Sequence, residues 1–121
     1  MHFVRLAAAP YVVRAIELSP NDALVLRMAG SFTRDIGRYD ISNVLSEHLL
    51  TLDPLCVDCK FRLALGYRIA GRLDDADTVL REVLLLDPDF PSAHFLLGTN
   101  QLLRGNLEAA LAEFQQAIEE V

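Results

Sequence analysis

Two cysteines stand three positions apart in Cys56-Val57-Asp58-Cys59, the spacing that supports dithiol chemistry or half of a metal site. A zinc site takes about four ligands, and the chain has no second such pair; His48 and His94 lie far off in sequence. A redox pair starts a helix, ordinarily in a fold that contains strands. Cys59 falls in the first turn of an expected helix, but no segment alternates apolar and polar residues as a strand does. The favoured reading is two small apolar residues packed where one helical pair meets the next, with metal and redox roles as alternatives. No metal and no other cofactor is expected.

Other candidates for chemistry are sparser. His2, His48 and His94 are scattered, and the glycines are spaced as hinges, not as a phosphate-binding loop. Asp74, Asp75, Asp77, Glu119 and Glu120 read as solvated helix faces, with Asp74 and Asp75 favouring the positive end of their helix. No Ser/His/Asp or paired-carboxylate motif is present, so no catalysis is expected.

The totals narrow the class. The 121 residues are 52% hydrophobic and 23% charged, enough to bury a core. A net charge of −6 argues against nucleic acid as a partner. No apolar run reaches the roughly 18 residues of a membrane span. The opening residues MHFVRLAAAPYVV read as a helix fragment and not a signal peptide, because Arg5 and Pro10 interrupt the apolar run. Two cysteines are too few for a disulfide framework and suit a reducing cytoplasm.

The elements that must position these residues are set by two interleaved series. Pro20, Pro54 and Pro88 are 34 residues apart, and so are Gly37, Gly71 and Gly105. Between them, apolar residues recur at three- and four-residue steps, as in Ile41, Val44, Leu45, Leu49 and Leu52. Helices are expected over about 10–18, 23–35, 39–52, 57–70, 73–86, 91–104 and 107–121, with residues 1–9 left open. Asn21 or Asp22 caps the second helix, each glycine ends the first helix of a pair, and Pro91 suits a first helical position. Connections of two to five residues make neighbours antiparallel.

A 34-residue period of paired helices resembles the tetratricopeptide (TPR) repeat. Residues 91–121 carry His94, Leu97-Gly98, Gln101, Ala110 and Phe114 at the family positions. Residues 57–90 carry Lys60, Leu63-Ala64, Tyr67, Ala76, Leu80 and Pro88. Residues 23–56 carry Leu26, Ala29-Gly30, Thr33, Ser42, Ser46 and Pro54, and residues 1–22 fit the second half of a repeat through Ala8, Val12, Ala15 and Pro20. The small residues Gly30, Ala64, Ala76, Gly98 and Ala110 match where helices approach closely; the large aromatics match poorly, and 23–56 is the weakest copy.

The resemblance implies an all-α, right-handed α-solenoid of antiparallel helical hairpins. It forms a single domain over 1–121: a partial repeat (1–22), two repeats (23–56 and 57–90), and a last one (91–121) stopping before its closing proline. The chain is expected to be a piece of a longer array or protein. By the same resemblance, first helices line a concave groove for a partner protein or peptide. Its positions are Leu24, Arg27, Ser31 and Arg34, then Asp58, Phe61, Leu65 and Arg68, then Ser92, Phe95, Thr99 and Leu102. Arg34 and Arg68, one repeat apart, are expected on one wall. Arginines beside Phe61 and Phe95 suit a segment with acidic and apolar groups. The family's two-carboxylate clamp does not carry over: of Arg27, Ser31, Arg62, Ser92 and Leu96, only the arginines have the right charge. The alternative function is self-association, as a homodimer, through Leu107, Leu111, Ile118 and Val121 on the last helix.

Overall fold

Gly37, Gly71 and Gly105 each adopt a left-handed backbone, with φ of 83°, 80° and 82°. At each, the residue after the glycine reaches back five positions: Arg38 N to Thr33 O at 2.8 Å, Arg72 N to Tyr67 O at 2.8 Å, Asn106 N to Gln101 O at 2.9 Å. These bonds satisfy carbonyls that the helix end leaves open, and only glycine takes that φ without a steric penalty. One 34-residue series in the sequence is thus one turn geometry used three times.

The structure is a computed structural model that describes residues 2–119, with side chains described from residue 10 onward. It contains α1 (His2–Leu18), α2 (Ala23–Asp35), α3 (Tyr39–Leu52), α4 (Val57–Ile69), α5 (Leu73–Leu86), α6 (Ala93–Arg104) and α7 (Leu107–Glu119), and no strand among the described residues. The all-α class and the paired helices expected from the sequence are therefore present.

Two helix starts differ from expectation. α1 begins at His2 and carries Pro10 in its interior. The alanines at 7–9 are strong helix formers, which sustains the helix on the far side of a residue that removes one backbone donor. α6 begins at Ala93, because the first helical bond runs from Leu96 N to Ser92 O at 3.0 Å. Ser92 is therefore the cap, and Pro91 lies outside the helix. Asp22 caps α2, accepting from Leu24 N at 2.9 Å and Val25 N at 3.1 Å.

The chain divides into two compact units, Met1–Cys59 and Lys60–Val121. In the first, Leu26 and Ala29 of α2, Leu45 and Leu49 of α3, and Cys59 form the buried cluster, with Val12 and Ile16 of α1 packed against it. Ser42 occupies the slot that Ala76 and Ala110 fill elsewhere, and its hydroxyl donates to Gly30 O at 2.9 Å. In the second unit, Leu63, Ala64, Ala76, Leu80, Val83, Leu96, Leu97 and Ala110 are buried. Full burial of a side chain such as Leu80 or Leu97 stabilises by about 1.5–3 kcal/mol. Gly98 lies so close to α7 that an added Cβ would stand 2.6 Å from the Phe114 ring.

Candidate functional site

Cys56 and Cys59 are joined by a disulfide. The reading of both as small packing residues is corrected to that extent: Cys59 is buried, at 6% exposure, but its sulfur is bonded to that of half-buried Cys56. The reason is local. Cys56 immediately precedes α4, and the helical turn carries the Cys59 N–H to within 3.2 Å of the Cys56 sulfur. That contact resembles the bond an N-cap side chain makes, and it sets the two side chains against each other. A bridge between positions three apart removes little chain entropy, about 2 kcal/mol in the loop-closure picture. Among the described residues, no group of three or more His, Cys, Asp or Glu converges as metal ligands would.

Arg27, taken from the sequence as a groove residue, reaches this disulfide. Its Nη2 is 3.7 Å from each of the two sulfurs. Arg34, further along α2, places Nη2 3.5 Å from the Ser31 hydroxyl. Of the four groove positions on α2, Ser31 and Arg34 are therefore held together. Leu24 and Met28 on the same helix are exposed. Tyr11, Val12 and Ala15 of α1 form an open apolar depression of about 370 Å³ with Val25, Met28, Ala29 and Phe32 of α2.

In the second unit, Phe61 packs on Phe90 with ring centroids 4.9 Å apart, and Leu65 and Arg68 are half-buried. Phe95 is 55% exposed and Leu102 45% exposed, seven positions apart on α6. Thr99, between them, turns its hydroxyl back to Phe95 O at 2.9 Å. Phe95 meets Phe114 at 5.7 Å between centroids. Both rings line an open depression of about 460 Å³ with Pro91, Ser92, Ala117 and Ile118. Two groove positions, Ser92 and Phe95, and one residue of the expected self-association face, Ile118, thus share a single apolar surface. Leu107, Leu111 and Ile118 of that face are 63%, 67% and 73% exposed; Val121 lies outside the described residues.

Asp77 corrects another expectation. Far from being solvated, its carboxylate accepts from Asn100 Nδ2 at 2.8 Å and Arg104 Nη1 at 2.7 Å, and its side chain is 14% exposed. Asp74 takes the other guanidinium nitrogen at 2.6 Å. The bond to Asp77, then that to Asp74, raises the Arg104 pKa above its ordinary value and fixes it as a cation. Sequence reasoning passed over Asn100 and Arg104. Their four-residue spacing puts them on one face of α6, and that is the signal a helical reading offers. Asn100 is fully buried, and its Oδ1 has no hydrogen-bond partner.

Lys60 and His94 stand in the slot that the family fills with a large aromatic. Lys60 pairs with Glu82 at 2.8 Å, and His94 Nδ1 lies 2.8 Å from Glu113 Oε2. Each ties the first helix of its pair to the second by a polar contact in place of a packed ring.

A family profile described as tetratricopeptide repeat matches residues 50–121. The comparison with curated proteins gives no match. Among solved structures, MamA MSR-1 superposes with a TM-score of 0.88 at 23% identity, over 97% of this chain and 67% of that one. A crystal structure of MamA gives 0.86 at 20% identity, over 96% and 68%. MamA AMB-1 gives 0.83 at 24%, over 91% and 65%. The chain thus spans about two thirds of the length of these proteins, and the likeness is one of fold.

Proposed function

The chain belongs to the tetratricopeptide repeat family, a class of protein-interaction scaffolds, and on that premise we propose that it binds a segment of another protein through the first helices of its pairs. Arg27, Ser31 and Arg34 contribute from the first unit. Phe61, Leu65, Arg68, Phe95, Thr99 and Leu102 contribute from the second. The observation that carries this reading is the exposed face of α6, where Phe95 and Leu102 meet solvent, Phe95 at the lip of an apolar depression. An exposed aromatic beside a hollow is an anchor of the kind that dominates interface energies. The basic residues select a segment carrying carboxylates, since guanidinium and carboxylate pair bidentately. The scaffold works without catalysis of its own, in the cytoplasm. Preformed helices lose little entropy on binding.

The test is recovery of a partner by wild type, by Phe95→Ala and by Arg34→Glu/Arg68→Glu, with folding checked by circular dichroism. Loss of about tenfold or more in affinity for each variant is expected, since truncating an aromatic anchor costs about 2 kcal/mol or more and a hydrogen bond to a charged group contributes roughly 1.5–3 kcal/mol. Equal recovery by all three moves the function to α7, whose exposed Leu107, Leu111 and Ile118 favour self-association. That second reading requires a solution mass that rises with protein concentration and falls to the monomer in Leu111→Glu.

A further inference from the structure

The disulfide between Cys56 and Cys59 closes a ring across a turn that the start of α4 already orders. As a staple it constrains little. Its two sulfurs are unequal: Cys56 is half-buried, whereas Cys59 is buried. An incoming thiolate therefore reaches one sulfur and leaves the other as leaving group. Both sulfurs sit where negative charge is favoured. The first turn of α4 presents an amide to Cys56 Sγ at 3.2 Å, and the Arg27 guanidinium stands 3.7 Å from each sulfur. A helix N-terminus and an adjacent cation are the two environments that stabilise a thiolate over a thiol. In a reducing compartment, a disulfide of this kind persists as a transient or sensing bond and not as a structural one.

We infer that Cys56 and Cys59 form a reversible thiol–disulfide exchange site, served by Arg27, whose reaction partner is a dithiol. One thiolate of the dithiol attacks Cys56 Sγ. The S–S electron pair departs on Cys59 Sγ, which faces the Arg27 cation. The dithiol's second thiolate then attacks its own sulfur in the mixed disulfide, and Cys56 leaves. The protein gains two electrons, and the dithiol becomes a disulfide. The two protons the dithiol gives up balance those taken by the Cys56 and Cys59 sulfurs. The reverse sequence, with a disulfide oxidant, closes the bond again. The site lies within the first unit; it shares Arg27 with the proposed partner-binding residues, and its chemistry is read without any partner protein present.

The experiment uses the whole chain under native conditions with dithiothreitol as the dithiol. Thiols are counted by maleimide mass shift, and helicity is followed by circular dichroism. Reduction without loss of helicity is expected. In the reduced protein at neutral pH, iodoacetamide should label Cys56 about fivefold or more faster than Cys59, from the difference in access. Arg27→Gln should slow labelling of Cys56 about threefold or more, and Arg27→Lys should restore most of it. Treated with oxidised glutathione, reduced Cys59→Ser should hold a glutathione adduct on Cys56 that reduced wild type expels. A bond that opens only after urea unfolding overturns the inference. So does equal labelling of the two thiols, or labelling of Cys56 unmoved by Arg27→Gln. Should Arg27→Gln lose helicity, the wild-type labelling ratio and the Cys59→Ser adduct decide.

Discussion

Gly30 and Gly98 occupy the same place in their hairpins, two repeat lengths apart. An added Cβ at Gly98 would stand 2.6 Å from the Phe114 ring; at Gly30 the nearest atom is the Ser46 hydroxyl at 4.0 Å. Phe114 and Ser46 are themselves equivalent positions. In the α6–α7 hairpin, a small residue lets a large one approach, and the ring fills the space between helices. In the α2–α3 hairpin the large partner is missing, so the glycine faces an ordinary contact. What joins α2 to α3 there is polar: the Ser42 hydroxyl bonds to Gly30 O at 2.9 Å. One repeat pattern thus supports two kinds of helix contact, and a glycine in the pattern does not by itself mean tight packing.

The largest effect should come from filling the tight contact. Gly98→Leu forces the Phe114 ring aside and should lower stability by about 1–3 kcal/mol or more. Ala76→Leu, at a position with no exposure, should cost as much. Thermal unfolding measures both. Adding Phe114→Ala to Gly98→Leu should recover part of the loss, because the two side chains compete for one space. If the double variant is no better than the sum of its parts, Phe114 is not what makes Gly98 small.

Next in size is the polar lock of the second unit. Asp77→Ala removes the acceptor of buried Asn100 Nδ2 and the less exposed of the two carboxylates on Arg104. Leaving a buried donor unpaired costs roughly 1–3 kcal/mol, readable as a lower urea midpoint at unchanged slope. A loss comparable to that of Gly98→Leu would place the polar network level with ring packing in holding the second unit. A loss near zero would mean that water replaces Asp77.

The repeat period, the hinge glycines and the small positions were legible because each imposes a residue type that little else satisfies. The φ near 80° at Gly37, Gly71 and Gly105 is the plainest case. What substitutes for a missing consensus residue was not legible. Lys60 and His94 stand where an aromatic is expected, and sequence alone does not reveal that Glu82 and Glu113 lie within 2.8 Å. Asp77 looks like any acidic residue on a helix face until α6 brings Asn100 against it. The Arg27 contact with both sulfurs joins positions 29 and 32 residues apart. Such pairs depend on the offset between helices, and that offset is a tertiary quantity. Helical spacing fixes the face a residue occupies but leaves its partner open.

The smallest effect is the one that separates the two hairpins most cleanly, because its sign changes. Gly30→Ala adds a methyl group in a helix interior where the nearest atom outside its own helix is at van der Waals distance. Alanine in place of glycine there gains about 0.5–1 kcal/mol by restricting the unfolded chain. The Ser42 bond to the Gly30 carbonyl involves backbone at position 30 and survives the change. Gly30→Ala should therefore raise the melting temperature. Gly98→Ala gains the same propensity but must displace Phe114, and it should lower the melting temperature or leave it unchanged. A falling melting temperature for Gly30→Ala would show that α2 and α3 need the closer approach that glycine permits, making the two hairpins alike in spite of Ser46.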